Sequence, residues 1–421
     1  MFPLRFLLSY FVVDGDLTVI DHKGCAHRYG VRDSEPKVAI RLHDPGLYLP
    51  LAVYPSLHIG RAYVQGSLTI EEGKLLDFIN LLLINQARLD QSALGSLRRW
   101  REEVLRWPAV INLRSRARRN IHHHYDYETD FYRLFLDNDL QYSCAYFSDS
   151  VNSLEEAQEA KKRHIASKLA LRRGMRVLDV GCGFGGLALY LARNYGVHVT
   201  GITLSTEQLR TARDRAAKQG LAHLVDFRAE DYRTTIGRFD RIVSVGMFEH
   251  VGRPHYGQFF KHVHRLLADN GVAVLHTIGR HTLPSPINVW IRENIFPGAY
   301  VPTMSQLSPI LEARSLWLTD FENLRLHYAM TLADWHRRFQ ANRQRVRMLD
   351  PKRFDDRFCR MWEYYLQSCE ASFRCGGLTV FQLQFTKRID ALPITRDHIF
   401  AEEQRLLEQE AHESRPRMAG E

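Results

Sequence analysis

The chain contains no Cys-x-x-Cys pair: its six cysteines, Cys25, Cys144, Cys182, Cys359, Cys369 and Cys375, are scattered singly. That excludes a zinc knuckle and a thioredoxin-type redox motif, and it fits a reducing, cytoplasmic compartment. Long apolar runs are missing as well. The nearest approach is the N-terminal MFPLRFLLSYFVV, which Arg5 interrupts. It is too short to span a bilayer, it lacks the charged start and small-residue cleavage site of a signal peptide, and it leads into a strand pattern. A core element is expected there. Metal-ligand spacing is also absent. His122, His123 and His124 are consecutive, and adjacent side chains diverge rather than converge on one ion. An acidic excess is missing too. Lys and Arg number 57 against 48 Asp and Glu, a formal charge of +9, which predicts an anionic partner surface, either nucleic acid or anionic lipid.

What is present centres on Arg176–Gln208, RVLDVGCGFGGLALYLARNYGVHVTGITLSTEQ. Val177–Val180 reads as a strand buried on both faces, apolar except for Asp179. Gly181, Gly183, Gly185 and Gly186 follow, then a helical pattern from Leu187 and a second β-branched run at 197–203. Strand, glycine turn, helix and strand make one half of a doubly wound nucleotide-binding fold. Gly181, Gly183 and Gly186 match G-x-G-x-x-G, but a dinucleotide site expects an acid about 20 residues on. Gly201, Ile202 and Thr203 stand there instead. The extra glycine and Asp179 resemble the loop of S-adenosylmethionine (SAM) methyltransferases.

Residues 1–95 read as a small mixed α/β accessory domain for membrane, dimer or interdomain contact, with strands around a Lys23-Gly24 turn and a helix in GKLLDFINLLLINQ. Residues 96–120 are a basic connector, eight arginines against two glutamates with Trp100 and Trp107 between them. That composition suits an anionic membrane surface, a nucleic-acid backbone or a solvated linker helix. Ser153-x-x-Glu156 is a capping box opening a helix to about Arg172. Further strands are expected at 224–230, within FDRIVSVGMFEHVG at 239–252, and at 271–279. Ligand-binding groups gather at strand carboxyl ends, so Asp231 and Tyr232 are candidates for the adenine side, with Glu249, His250 and His276 at later ends. Residues 280–302, rich in proline and aromatics, interrupt the alternation and are suited to wall an apolar channel. FDDRFCRMWEYYLQSCEASFR reads as an aromatic helix, LTVFQLQF as a late strand, and 401–421 as a short helix followed by disorder.

Taken together, HYD at 124–126, QYSCAYF at 141–147, VLDVGCGFGG, GITLSTEQ, FDRIVSVGMFEHVG and AVLHTIG resemble the cyclopropane-fatty-acyl-phospholipid synthase family, which includes the mycolic acid cyclopropane synthases. The likeness is strong over about 120–390 and looser through IGRAYVQG. It implies a doubly wound, Rossmann-like class I SAM methyltransferase fold, with a catalytic domain at 121–395, a lipid-channel insertion at about 280–330 and a charged tail at 396–421. It implies two small molecules, SAM as methyl donor and bicarbonate as base. The matching bicarbonate ligands are Cys144, Glu249, His276, the Ile278 backbone and Tyr328. The matching SAM contacts are Tyr142, Ser143, Gly181, Gly183, Thr203, Leu204, Gln208, Asp231 and Tyr232.

The activity implied is methyl transfer to a cis double bond of a membrane phospholipid, followed by deprotonation to a cyclopropane. A carbocation arises on the acyl chain, so water must be excluded, and aromatic faces such as those of Tyr142, Tyr146, Phe147 and Phe184 can stabilise it. Such an enzyme is expected at the inner face of the cytoplasmic membrane, with the arginines from Arg98 to Arg119 on anionic lipid; the family also allows a homodimer. The alternatives are a sister enzyme leaving a methyl or methylene group and a non-catalytic lipid-binding protein of the same fold. A nucleic-acid methyltransferase is disfavoured, because Met247-Phe248-Glu249-His250 replaces a Pro-Pro-Tyr-type motif.

Overall fold

The computed structural model describes residues 1–90, 129–148 and 153–413. The basic connector, the HYD stretch and the last eight residues lie outside that set. The chain packs as two units, each assembled from separate segments. One unit holds Met1–Ile111, Arg280–Val301 and Tyr328–Thr379; the other holds Asn112–Gly279, Pro302–His327 and Val380–Glu421.

The first unit opens with α1 (Phe2–Phe11), where a core element next to a strand pattern was expected. Pro3 suits the first turn of this helix. Only one face is buried, through Leu4 and Leu8, while Phe6, Leu7 and Tyr10 face outward. β1 (Asp16–Ile20) and β2 (Ala26–Gly30) pair antiparallel around the expected Lys23-Gly24 turn. Asp21 Oδ1 accepts from the Lys23 and Cys25 amides, each at 2.9 Å, which closes that turn. β3 (Lys37–Leu42) runs parallel to β1. The helices α2 (Tyr48–Val53) and α3 (Pro55–Gln65) follow, then β4 (Leu68–Glu72) and α4 (Leu75–Asp90). The sheet order is β2-β1-β3-β4.

The second unit is built on the sheet that the glycine stretch predicts. After α5 (Thr129–Arg133) comes α6 (Leu154–Lys168). The Ser153/Glu156 capping box is formed, and the helix stops four residues before the expected Arg172. β5 (Arg176–Val180), α7 (Gly186–Tyr195), β6 (His198–Thr203), α8 (Thr206–Lys218) and β7 (Val225–Ala229) form the first half. β8 (Phe239–Val245), α9 (Tyr256–Leu266) and β9 (Leu267–Arg280) continue it.

Of the segment at 280–302, α10 (Val289–Asn294) belongs to the first unit. α11 (Met304–Ala313) and β10 (Trp317–Asn323) return to the second unit. α12 (His327–Ala341), α13 (Arg343–Leu349) and α14 (Asp356–Arg374) lie in the first unit, apart from His327. β11 (Leu378–Thr386) and α15 (Asp397–Glu413) close the chain.

The seven strands run β10-β11-β9-β8-β5-β6-β7, with β9, β8, β5, β6 and β7 mutually parallel and β10 antiparallel to β11. The grouping differs from the expected succession of domains along the chain. Trp290 of α10 packs edge-on to Tyr364 of α14, with ring centroids 4.6 Å apart, and Phe296 packs on Tyr365. Those aromatics bury their surface inside the first unit, which ties 280–301 to it.

α15 also departs from expectation. It is a docked helix of 17 residues that begins at Asp397, longer than the short helix expected, and the disorder expected beyond it falls on residues 414–421, outside the described residues. Ile399 and Leu406 are buried, and three of its glutamates find partners in the same unit. Glu402 accepts from the Tyr195 hydroxyl at 2.6 Å, Glu403 meets His164 Nδ1 at 3.2 Å, and Glu410 accepts from the Tyr190 hydroxyl at 2.6 Å and pairs with Arg163. Among the described residues no helix is long and apolar enough to cross a membrane.

Candidate active site

The turn after β5 takes its shape from its glycines. Gly181 and Gly185 have φ of +85° and +83°, where an L side chain is strained. A Cβ on Gly181 would stand 2.7 Å from the Met247 side chain, and one on Gly185 would stand 2.6 Å from the Phe227 ring. A Cβ on Gly183 would meet nothing within 4 Å, so this glycine borders open space. The Gly181 and Cys182 amides donate to the Ile202 carbonyl at 2.9 and 3.0 Å, which locks the turn to β6.

That open space is a cavity of about 160 Å³ at the carboxyl ends of the parallel strands. All nine residues expected to contact SAM line it: Tyr142, Ser143, Gly181, Gly183, Thr203, Leu204, Gln208, Asp231 and Tyr232. The Thr203 hydroxyl donates to Gln208 Oε1 at 3.0 Å, so a neutral pair stands where a dinucleotide site would place an acid. The Arg233 guanidinium forks onto both Asp231 oxygens at 2.8 and 2.6 Å, which neutralises the carboxylate at the cavity edge.

The cavity also has walls that the sequence did not mark as contacts, among them Lys161, Met247 and His250. Lys161 is 1% exposed, and its amine donates to Ser143 Oγ at 2.9 Å and to Gln141 Oε1. Burial pulls this amine down to about 8, against the opposing pull of Asp137 and Asp139. Burial likewise takes His250 down to about 4, which keeps it neutral. Asp179 also lines the cavity, and burial raises it to about 7. Its Oδ2 has no hydrogen-bond partner among the described residues. Asp179 was visible as the one polar residue of an apolar strand. Lys161 was hidden, because in a charged helix nothing separates it from Lys162.

Glu249 and His276 are not in this lining, but each is joined to residues that are. Glu249 lies in the 3-10 turn Phe248–His250, between the cavity-lining Met247 and His250. His276 lies in β9, and its carbonyl accepts from the amide of the cavity-lining Gly246 at 3.0 Å. Glu249 Oε1 accepts from the Ile278 amide at 2.6 Å, so the peptide expected to face an ion is engaged by the carboxylate. Glu249 Oε2 is buried and has no hydrogen-bond partner among the described residues. Burial raises this carboxyl to about 7, and hydrogen bonding from the Ile278 amide, its own amide and the Thr277 hydroxyl offsets only part of the rise. Burial, with Lys161 and Lys168 nearby, pushes His276 well below the ordinary histidine range. Cys144 is buried and continues the loop that carries Tyr142 and Ser143 to the cavity. Tyr328 belongs to the first unit, where its ring packs against Trp335 and Phe373.

Of the four aromatic faces expected near a cationic chain, Tyr142 and Phe184 line the cavity. Tyr146 does not offer its face. Its ring is stacked on His164 (4.2 Å, 16°) and on His327 (4.9 Å, 10°). Phe147 is tied to the same imidazole, its amide donating to His327 Nδ1 at 2.9 Å.

A family model described as mycolic acid cyclopropane synthetase matches residues 112–383. The chain belongs to this family. It is similar to the cyclopropane-fatty-acyl-phospholipid synthase of Escherichia coli K12, at 37% identity over 83% of this chain and 88% of that one. It is also 35% identical to a "Probable fatty acid methyltransferase" of Pseudomonas putida, over 87% of this chain and 92% of the relative. Among solved structures, the mycolic acid cyclopropane synthase CmaA1 complexed with SAH and CTAB matches 64% of this chain and 97% of its own. The TM-score there is 0.59 at 34% identity. By family and fold the protein is a SAM-dependent methyltransferase.

Proposed function

We propose that the protein is a cyclopropane-fatty-acyl-phospholipid synthase, acting on a cis double bond in the acyl chain of a membrane phospholipid. The observation that carries this reading is that two buried groups, Glu249 and His276, each adjoin the lining of the glycine-loop cavity, one between Met247 and His250 and the other bonded through its carbonyl to Gly246. An ordinary methyltransferase has no need of a neutral imidazole and a carboxyl with a free oxygen beside its methyl-donor site. When bound, SAM presents an activated methyl to the double bond and bicarbonate takes the proton whose loss closes the ring.

The chain's own residues do the rest. Gly181, Gly183 and the Thr203–Gln208 pair hold the donor, and Lys161 keeps Ser143 in place. Tyr142 and Phe184 turn apolar faces to the cavity, excluding water that would trap a cationic chain. Glu249 and His276 have the donors and acceptors to hold a small oxyanion. An anion beside a carboxylate is repelled. A carboxyl raised to about 7 relieves this by sharing one proton with its neighbour. Cys144, on the loop that carries Tyr142 and Ser143, is a further residue that the family would use. The relative named as a fatty acid methyltransferase supports a second reading, in which a different proton is lost and a methyl or methylene group remains.

Access to the lipid is proposed from the inner face of the cytoplasmic membrane. The first acidic residue is Asp14, so α1 offers Phe6, Leu7 and Tyr10 beside Arg5 with no negative charge, the chemistry of an interfacial helix.

The deciding experiment incubates purified protein with methyl-labelled SAM and vesicles of a cis-monounsaturated phospholipid, and examines the lipid by proton NMR. High-field ring protons are expected. Label in lipid without them selects the sister chemistry, and SAM binding with no labelled lipid selects the non-catalytic fold.

A further inference from the structure

Behind His276 stands Gln382, which the reading above leaves without a role. It lies in β11, the neighbour of β9 in the sheet, and is fully buried. Its Nε2 is 3.0 Å from His276 Nδ1. His276 is 2% exposed, and both its burial and the lysines Lys161 and Lys168 disfavour a charged ring. A neutral imidazole carries one proton, on one nitrogen or the other, and the group facing one nitrogen decides which. An amide nitrogen can only donate. With the amide placed this way, its Oε1 buried and without a hydrogen-bond partner among the described residues, the nitrogen that it faces holds the lone pair.

We propose that Gln382 is a positioning residue that holds His276 as the Nε2–H tautomer, so that the ring offers a donor on its far side. The functional consequence rests on the bicarbonate-site reading. An Nε2–H steadies the oxygen of an anion, whereas a bare Nε2 would repel it and compete for the proton it must take. Neighbouring glutamines differ: Gln384 donates to the Lys168 carbonyl and accepts from Thr319, which serves packing between β10, β11 and α6. Of these two glutamines, it is Gln382 that reaches the ring.

The test is long-range proton–nitrogen NMR on SAM-bound, bicarbonate-free protein labelled with ¹⁵N-histidine, with His276 assigned by its loss in His276→Gln. Wild type is expected to show a pyridine-like Nδ1 and a pyrrole-like Nε2. Gln382→Met, which keeps the bulk and removes the donor, is expected to let Nδ1–H appear. It should lower kcat about tenfold, the scale of one hydrogen bond, with SAM affinity by calorimetry unchanged. Gln382→Asn, keeping the amide on a shorter arm, should recover part of both. A wild-type ring protonated on Nδ1 overturns the proposal without any variant. So does a folded Gln382→Met protein with the wild-type signature and kcat. If turnover proves indifferent to bicarbonate while the ring proton still follows position 382, the base reading fails and this one stands.

Discussion

Two carboxyl groups carry most of the chemistry at the residue scale. Glu249 and Asp179 are both raised to about 7 by burial, against about 4 in an unfolded chain. Between those values the folded protein holds protons that the unfolded chain has released. The contribution of these two groups to stability is therefore greatest below about 4, falls as pH rises towards 7 and is level above it. Glu249→Gln removes one of the two titrations. Urea midpoints of wild type and variant, measured between pH 5 and 8, should show a shallower slope for the variant. The same substitution should reduce turnover at least 100-fold while SAM affinity stays within about twofold, since Glu249 adjoins the cavity lining and is not part of it. Unchanged turnover would remove Glu249 from the base assembly. The residue types of this site were readable from family-like motifs. The fate of Tyr146 was not, because its two imidazole neighbours come from residues 164 and 327, and no local pattern announces a stack across that separation.

At the scale of elements, α6 and α15 show how charge can mislead. α6 reads as a charged helix, and yet Lys161, Lys162, His164 and Lys168 are all buried. They are tolerated because each has a partner: Gln141 and Ser143 for Lys161, Asp139 for Lys162, Glu322 and Glu403 for His164, Asp320 and Glu322 for Lys168. Burial pulls His164 down, but its two carboxylates outweigh that and raise it. α15 supplies Glu403 from beyond residue 383, where the family match ends. The helix is therefore a structural part of the unit that holds the cavity, through Leu406 as well as its glutamates. Leu406→Ala should destabilise that unit by about 2–5 kcal/mol, read as a lower urea midpoint. A loss below ~0.5 kcal/mol would mean that α15 is a dispensable appendage.

At the scale of the whole molecule, each unit is stitched from three segments of chain, and the formal charge is +9. The proposal that the protein draws an acyl chain out of a bilayer requires a surface that rests on it. α1 exposes Phe6 and Tyr10 at 74% and 64%, a cost in water that burial in lipid would recover. The double variant Phe6→Ser, Tyr10→Ser should lower partition onto anionic vesicles about tenfold by flotation, while leaving SAM affinity unchanged. The proposal that the arginines from Arg98 to Arg119 meet anionic lipid predicts that wild-type binding weakens as salt rises. Binding equal to wild type in the double variant would move the docking surface elsewhere.

The sequence alone determined the parallel core of the sheet, the glycine turn and the capping box of α6, because these depend on local periodicity and on residues a few positions apart, and its likeness to a known family supplied the nine cavity-lining candidates. Tertiary structure decided the rest. It set which unit claimed residues 280–301, the docking of α15, the burial that brings Glu249 and Asp179 to about 7, and the placing of Gln382 against His276. Each of these is a long-range consequence of packing. Desolvation and cross-strand neighbours exist only once distant segments meet.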